Sequence, residues 1–294
     1  MKLLYKDTTA AVLFVMPFVI GFSAFLIAPM FISLYYSFTD FNLLREPVWI
    51  GTANFQRMLT DTTLHNSFRA TFYFAFTSVP LRIIFALIVA MLLLKSTRMM
   101  GVYRAIFYLP SILGSSVAVA ILWRRMFFVT GTVNTLLERV GLPSDFAWLG
   151  HPHSAMWVLI LMAVWQFGSS MLIFLASLKQ IPQTYYEAAK IDGAGPVWTF
   201  FRITLPLITP AIFFNLVMQM INGFLAFNQA FLITQGHPMR ATYFFTLYMY
   251  EMTFEFGSAG YSAAMAWAMF VMLALFTGFL FLTKRFWVYE GGFS

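Results

Sequence analysis

The side chains best suited to hydrogen-bond a solute form a run of amides in an apolar part of the chain. Their spacing of i, i+4, i+7, i+11 and i+14 predicts one helical face with four amides and a small residue: Asn215, Gln219, Asn222, Ala226 and Gln229. Amides exchange hydrogen bonds with hydroxyl groups, so this face suits a path for a hydroxyl-rich solute such as a sugar. The alternative is that the amides bind neighbouring helices to one another.

A sugar ring also needs an aromatic surface for its C–H face, and the amide stripe has none. On a wheel of roughly 100° per residue, Phe224 and Phe227 lie about 180° and 120° from Asn215. We therefore expect the aromatic to come from another helix. A candidate facing wall is the group Trp165, Gln166, Ser169 and Ser170.

Arg82 is a lone charge within a long apolar stretch, two residues after Pro80. A charge in lipid requires a partner or a purpose. One hypothesis is that carbonyl groups freed by Pro80 hold the guanidinium. The other is that Arg82 contacts an anionic solute or a partner subunit, and an acidic oligosaccharide such as a uronate would suit it.

Most catalytic and metal chemistry is excluded by what the chain lacks. It has no Cys and four His, which fall in predicted loops: His65, His151, His153 and His237. His151 and His153 lack the i, i+4 spacing of a helical zinc motif, and no G-x-x-x-x-G-K-[ST] phosphate loop is present. We therefore expect no catalytic residue, metal or cofactor on this chain.

The composition is that of a membrane protein. Of 294 residues, 61% are hydrophobic and 10% are charged, and the mean hydropathy is +0.78. A soluble domain carries about 25% charged residues, so most of this surface must face lipid. The net charge of +7 raises nucleic acid as an alternative partner, but that needs clustered Lys and Arg, and we predict no nucleic-acid binding.

Long uncharged stretches predict an all-α polytopic protein that forms one transmembrane domain over residues 1–294. A helix crosses the hydrocarbon core with about 20 apolar residues. Six ranges qualify: 10–37, 70–94, 105–123, 154–177, 207–229 and 262–283. The first is too long for a cleaved signal segment, and we expect it to be retained and to bend at Pro17 and Pro29.

The Lys and Arg distribution predicts the orientation. Six spans put both termini on one side, which takes ten basic and four acidic residues, including all six Lys. The other side has seven of each sign, and Arg82 carries the remaining charge. Because Lys and Arg favour cytoplasmic loops, both termini are expected in the cytoplasm of a multi-pass inner (plasma) membrane protein.

The loop over residues 178–206, here named the coupling loop, has a readable local pattern. Thr184 and Glu187 fit a capping box, which predicts a short helix from Tyr185 to Ile191. Gly193 and Gly195 suit the positive φ that ends a helix, and Pro196 suits the first residue of another. Each residue taken alone also fits a purely structural role.

The coupling loop matches the spacing E-A-A-x-x-x-G-x9-I-x-L-P in full, at Glu187, Ala188, Ala189, Gly193, Ile203, Leu205 and Pro206. It resembles the EAA loop of binding-protein-dependent ABC importer permeases. Flanking segments are similar to the carbohydrate-uptake branch of that family: Trp49–Phe55, Gly101–Pro110 and Ile181–Glu187. The resemblance covers roughly residues 10–288.

This resemblance implies a type I ABC importer permease fold and a set of partners. The coupling loop, including Asp192, would dock on one of two cytoplasmic ATP-binding subunits, which bind ATP and Mg²⁺. A second permease subunit, most simply a different chain, would complete the path, and an extracytoplasmic solute-binding protein would deliver the solute.

Other functions stay open at this point. An ABC permease for another solute, such as a glycerol phosphate, is one alternative. A secondary transporter would typically carry intramembrane carboxylates, and no Asp or Glu lies in a predicted span. A membrane enzyme would need a nucleophile or ligand cluster at membrane depth, and the sequence offers none.

Overall fold

The computed structural model describes residues 2–94 and 99–289. Within these ranges the chain forms helices and no strand, and an isolated antiparallel bridge pairs Thr39 with Trp49. The prediction of an all-α protein is confirmed. The α-helices are α1 (Lys2–Phe22), α2 (Ala28–Ser37), α3 (Ala53–Thr60), α4 (Thr62–Leu92), α5 (Met100–Leu113), α6 (Val117–Met126), α7 (Thr132–Arg139), α8 (Pro152–Trp165), α9 (Gly168–Lys179), α10 (Gln183–Ile191), α11 (Pro196–Thr199), α12 (Leu205–Leu207), α13 (Thr209–Phe224), α14 (Phe245–Phe254) and α15 (Ala259–Thr283).

The chain divides into two compact units. One comprises the chain up to Asp61 together with residues 249–272. In it, the Asn54 amide donates to the carbonyls of Ser37 and Thr39 at 3.0 and 2.8 Å. The Tyr261 hydroxyl donates to Asp61 Oδ2 at 2.7 Å, and Arg57 Cζ lies 4.0 Å from the centroid of the same ring. These bonds fix α3 against the start of α15.

The other unit, residues 62–248 and the segment from Leu273 onward, is built around α4. This helix packs against α8, α9 and α13. Its inner face carries small residues, and Ala75, Ala86 and Ala90 are fully buried. A Cβ at Gly223 of α13 would lie 3.3 Å from Ala75 Cβ. Small residues thus let the helices approach closely, as is usual in membrane bundles.

Large apolar side chains cover the outside of both units. In the first unit Phe14 and Phe25 are 83% and 86% exposed, and in the second Leu275 and Leu282 are 70% and 74% exposed. Such continuous apolar surface is typical of helices that face lipid tails. The predicted membrane environment is consistent with this surface.

Three continuous helical segments are long and apolar enough to cross a membrane: Ala11–Ser37, Thr62–Leu92 and Ala259–Phe286. Three further candidates are bent helix pairs, Met100–Leu113 with Val117–Met126, Pro152–Trp165 with Gly168–Lys179, and Pro196–Leu207 with Thr209–Phe224, so the structure holds three to six candidate spans. The six-span topology therefore stays a prediction.

The bends have local causes. The third predicted span bends by 97°, where Ser116 caps α6 by accepting from Val119 N at 3.4 Å. The fifth bends by 65° between Pro206 and Pro210, which supply no backbone N–H. Where the sequence predicts a helix to residue 229, α13 ends at Phe224, and the Thr246 hydroxyl donates to the carbonyl of Ala226.

Two π-helical turns explain how the chain tolerates internal prolines. They span Ser23–Ile27 and Phe200–Thr204, and each lies two residues before a proline, Pro29 or Pro206. The residue before the proline donates to the carbonyl five positions back: Ala28 N to Ser23 O, and Leu205 N to Phe200 O. The π turn accommodates a proline that supplies no backbone donor.

The orientation in the membrane also stays a prediction. Lys95, Arg98 and Glu290, which enter the charge count, lie outside the described residues.

The apolar run of the first span continues without interruption to Ser37. Helix α1 continues through Pro17, and a π turn at Ser23–Ile27 lies between Pro17 and Pro29. The bends expected at these two prolines stay a prediction.

Candidate solute cavity and coupling loop

A cavity of about 340 Å³ lies inside the second unit. Amides, hydroxyls and a guanidinium line it: Ser78, Arg82, Ser111, Ser115, Gln166, Ser169, Gln219, Asn222, Asn228 and Gln229. None of its described lining residues is acidic. The cavity therefore offers many hydrogen-bonding groups and one unbalanced positive charge.

Neutral groups from two other helices hold Arg82 in this cavity. Its Nε donates to the carbonyl of Ala163 on α8 at 2.6 Å, and its Nη1 donates to Gln219 Oε1 on α13. The hypothesis that carbonyls freed by Pro80 hold the guanidinium is not supported, because its partners come from α8 and α13. Since both partners are neutral, the positive charge of Arg82 keeps its capacity to attract an anion.

Gln219 connects three helices through both ends of its amide. Its Oε1 accepts from Arg82 on α4, and its Nε2 donates to Ser170 Oγ on α9 at 3.0 Å. It therefore binds helices together and lines the cavity at the same time. Gln229 differs, because its Oε1 is buried at the cavity and has no hydrogen-bond partner among the described residues. That oxygen is an available acceptor for a hydroxyl donor.

The helix breaks meet at the cavity wall. The Gln166 side chain, between α8 and α9, donates to the carbonyl of Gly114 at 3.2 Å, and Ser111 Oγ donates to the carbonyl of Gln166 at 2.9 Å. Gly168 permits the contact, because a Cβ there would lie 2.5 Å from the carbonyl oxygen of Phe107. The bend of the third candidate span is thus locked to the bend of the fourth.

Two residues predicted for the solute path lie elsewhere. Asn215 is fully buried, and its Nδ2 donates to the carbonyl of Ala211 within its own helix at 3.0 Å. Trp165 packs against Trp123, with ring centroids 5.7 Å apart. Neither residue is among those that line the cavity.

The end of α13 changes which aromatic side chain reaches the cavity. Phe227 lines it together with Phe74 of α4, although helical spacing directs Phe227 away from the amide stripe. The expectation fails because the helix ends three residues earlier. Ser111, Ser115 and Asn228 also line the cavity and have no place in the stripe. The one sequence signal that could have indicated them is the helix break suggested by Pro110, Gly114 and Ser115.

The coupling loop contains α10 and α11. Gly193 has φ +75° and ends α10 in a Schellman motif: Ala194 N donates to Ala189 O at 2.8 Å, and Gly193 N to Lys190 O at 3.2 Å. Gly195 keeps a negative φ of −72°, and Pro196 is the first residue of α11. The predictions for Gly193 and Pro196 are confirmed, and the one for Gly195 is wrong.

The predicted capping box is also wrong. The helix begins at Gln183, with Pro182 at the N-cap position and no side-chain cap. Thr184 therefore lies inside the first turn, where its hydroxyl has no N-cap role. The backbone of Pro182 already has the non-helical ψ of 134° that suits an N-cap, so the helix begins two residues before the predicted start.

The coupling loop presents an apolar surface. Ile191, Val197, Trp198 and Phe201 are 86%, 69%, 53% and 59% exposed, while Ala189 is buried. Glu187, Ala188 and Asp192 are exposed, and Ile203, Leu205 and Pro206 are partly exposed. The Tyr186 hydroxyl lies 3.1 Å from Thr204 Oγ1 and ties α10 to the π turn. The loop is therefore folded into short helices that are joined by this side-chain contact, and it is not an extended connection.

Residues 70–286 match the family described as "Binding-protein-dependent transport system inner membrane component". The chain belongs to this family. "Probable ABC transporter permease protein YesP" of Bacillus subtilis (strain 168) is 48% identical to the permease over 287 residues, 97% of this chain and 93% of the relative. "Lactose transport system permease protein LacF" of Rhizobium radiobacter is 32% identical over 280 residues, 93% of each chain.

The permease also shares the fold of a solved structure. It is similar to a chain of a "bacterial ABC transporter involved in the import of the acidic polysaccharide alginate", with a TM-score of 0.83 and 22% identity. The match covers 97% of the permease and 99% of that chain. The predicted ABC permease fold is confirmed, and the matched family range contains both the cavity and the coupling loop.

Proposed function

We propose that this permease forms the transmembrane path of an ABC importer for a carbohydrate, specifically an oligosaccharide, with ATP hydrolysed on two separate subunits. The observation that carries the proposal is the cavity lined by amides, hydroxyls and Phe227 among the helix breaks. The names of relatives support it: they describe permeases for lactose and for starch degradation products.

The cavity chemistry matches a sugar in two ways. Asn222, Asn228 and the Gln229 oxygen that lacks a partner offer hydrogen bonds to hydroxyl groups. Phe227 and Phe74 offer aromatic surface for the C–H faces of a ring. A volume of about 340 Å³ holds part of an oligosaccharide, and the remainder would extend along the path.

The coupling loop supplies the contact with an ATP-binding subunit. Its exposed apolar side chains, next to the exposed carboxylate of Glu187, form the kind of surface that a partner protein covers. The Schellman motif at Gly193 fixes how α10 presents that surface. Docking there would transmit ATP-driven closure to the helices that line the path.

The importer would include the partners that the family resemblance implies. These are a second permease subunit, two ATP-binding subunits that use ATP and Mg²⁺, and an extracytoplasmic solute-binding protein. The complex would lie in the inner membrane, with both permease termini in the cytoplasm. Affinity purification of the tagged permease should recover the ATP-binding subunits. Solute flux through the permease alone, without ATP, would instead indicate a secondary transporter.

Gly193→Asp tests the coupling directly. The change puts a side chain at φ +75°, where an L-residue is strained, although nothing lies within 4 Å of a Cβ there. We expect normal membrane insertion but at least a tenfold loss of ATP-driven uptake in proteoliposomes that contain the whole complex.

Gly195→Asp is the matched control for that change. It adds the same charge two residues away, also in open space, but at φ −72° and at the N-cap of α11, where Asp is favoured. We expect it to keep wild-type uptake. Normal uptake by Gly193→Asp would contradict the coupling role.

A narrower substrate class, acidic oligosaccharides of the uronate type, is favoured by Arg82. Its guanidinium lines the cavity beside neutral partners, and none of the described lining residues offers a carboxylate to balance it. A glycerol phosphate would satisfy the same charge but leave most of the amides without hydroxyl partners. ATP-driven uptake of a neutral oligosaccharide, together with failure to import a uronate oligosaccharide, would exclude the acidic class.

A further inference from the structure

We infer that this permease has a second saccharide site, an outer subsite that binds the acidic ring of a uronate before it reaches the cavity. The inference rests on the proposed function and extends it. The subsite is a groove of about 530 Å³ in the second unit, and its key residues are Asn66, Arg69, Tyr73, His153 and Arg240. It shares no lining residue with the cavity around Arg82.

One face of α4 forms a wall of this groove. Asn66, Arg69 and Tyr73 recur at i, i+3 and i+7, which places them on the same side of the helix. Ala70, between them, has a side chain small enough to leave space. An amide, a guanidinium and a phenol ring therefore face the groove together.

The opposing wall comes from two distant segments. His153 lies in the first turn of α8, and Arg240 follows Met239 in the loop before α14. Met239 and Arg240 both have a positive φ, 50° and 58°. The fold thus brings three basic side chains from separate parts of the chain to one groove.

The basic side chains of this groove are available to a ligand. The side chains of Arg69 and His153 are exposed and form no hydrogen bond or ion pair among the described residues. Arg240 donates from Nη1 to Thr63 Oγ1 at 3.0 Å, and its Cζ lies 5.4 Å from the centroid of the Tyr243 ring, so its charge also lacks a carboxylate partner. None of the described lining residues is acidic. Two guanidinium groups without a counter-ion suit a carboxylate.

The shape and the remaining groups favour a carbohydrate acid over a bare anion. A volume of about 530 Å³ falls within the usual range of about 300–1,000 Å³ for small-molecule sites. The Tyr73 ring is 46% exposed and offers a stacking face, while the Asn66 amide can exchange hydrogen bonds with ring hydroxyls. A hydroxylated ring that carries a carboxylate uses all of these groups.

The groove and the cavity lie along the same helix. Arg69 precedes Arg82 on α4 by a distance of roughly 20 Å, at 1.5 Å per residue. The predicted topology puts Arg69 at the extracytoplasmic end of α4 and Arg82 deeper in the membrane. An acidic oligosaccharide would therefore meet a cationic site at the surface and a second one inside.

Binding of trigalacturonate to the permease, purified with its co-purifying subunits and held in nanodiscs, tests the subsite. An Arg82→Gln background removes the cavity's own charge. We expect Arg69→Gln to weaken binding about tenfold, the Arg69→Gln, Arg240→Gln double variant to weaken it further, and Tyr73→Leu to weaken it about threefold. Arg139→Gln is the matched control, because Arg139 is exposed on α7 and does not line the groove, and it should leave binding unchanged.

The outcomes separate this inference from the proposed function. Unchanged trigalacturonate binding in Arg69→Gln would overturn the subsite, and so would equally tight binding of a triglutamate peptide, which would indicate a protein partner. If the wild-type complex imports maltotriose with ATP but does not bind trigalacturonate, the proposed importer stands and the subsite is wrong. Weaker trigalacturonate binding by the Arg69→Gln variant, together with unchanged binding by the Arg139→Gln variant, would support the subsite.

Discussion

The cavity and the coupling loop hold their polar groups in opposite ways. At the cavity, Gln219 of α13 links Arg82 of α4 to Ser170 of α9, so these side chains are part of the helix packing. In the coupling loop, Glu187 is exposed and forms no hydrogen bond among the described residues, and the loop's shape depends on the backbone at Gly193. The difference separates residues that serve both structure and transport from residues that serve contact with a partner.

The largest effect on stability is expected at a glycine where two helices touch. Gly168→Ala places a Cβ 2.5 Å from the carbonyl oxygen of Phe107 and 2.7 Å from Tyr108 Cα, which are backbone atoms that cannot move aside cheaply. We expect a loss of at least about 3 kcal/mol of stability, at the upper end of overpacking costs. The measurement is the yield of monodisperse protein and its Tm in detergent.

Gly101→Ala is the matched control for that prediction. No described residue lies within 4 Å of a Cβ at Gly101, which is also in a helix, α5. Because Ala favours helix over Gly by up to about 1 kcal/mol, this change should raise or preserve the Tm. Equal Tm values for the two variants would show that the bends of the third and fourth candidate spans do not pack as described.

Gln219→Leu should have an intermediate effect. It removes the acceptor of Arg82 Nη1 and the donor to Ser170 Oγ. Hydrogen bonds within membrane bundles contribute about 0.6 to 2 kcal/mol each, so we expect a destabilisation of about 1–2 kcal/mol together with weaker solute binding.

Asn222→Leu provides the comparison on the same helix. Asn222 lines the cavity but is exposed there and makes no side-chain hydrogen bond among the described residues. It should change stability by less than about 0.5 kcal/mol while still weakening solute binding. Chemical denaturation that gives the same destabilisation for both variants would end the distinction between structural and solute-facing amides.

The smallest effect on stability is expected at Glu187. Its side chain is exposed on α10, so Glu187→Gln should shift stability by less than about 0.5 kcal/mol while lowering solute-stimulated ATPase activity of the complex. Thr184→Ala should leave both quantities unchanged, because Thr184 does not cap the helix. A loss of about 1 kcal/mol in Thr184→Ala, typical of a lost N-cap, would restore the capping box.

The sequence predicts this molecule best where a single local rule decides the structure. Long apolar runs predict the helices, and Gly193 is predicted to take the positive φ that ends α10, as it does. Pro196 likewise predicts the start of α11. These features need no knowledge of the rest of the chain, because steric limits on the backbone are enough to specify them.

Prediction fails where contacts between distant segments decide. Helical periodicity cannot show that α13 ends at Phe224, because the Ala226 carbonyl receives its hydrogen bond from Thr246, twenty residues later. That early end brings Phe227 to the cavity and breaks the amide stripe. No local pattern could predict the groove of Arg69, His153 and Arg240, because three separate segments supply its basic side chains.

The π turn at Phe200–Thr204 gives the motif spacing a geometrical meaning. A π turn amounts to one extra residue inserted in an α-helix, and each residue of a helix turns the chain by about 100°. The nine residues between Gly193 and Ile203 therefore set an angle as well as a length. Deleting one of the helical residues in this interval would rotate the preceding part of the coupling loop about the helix axis. We therefore expect insertions and deletions here to impair function even where single substitutions are harmless.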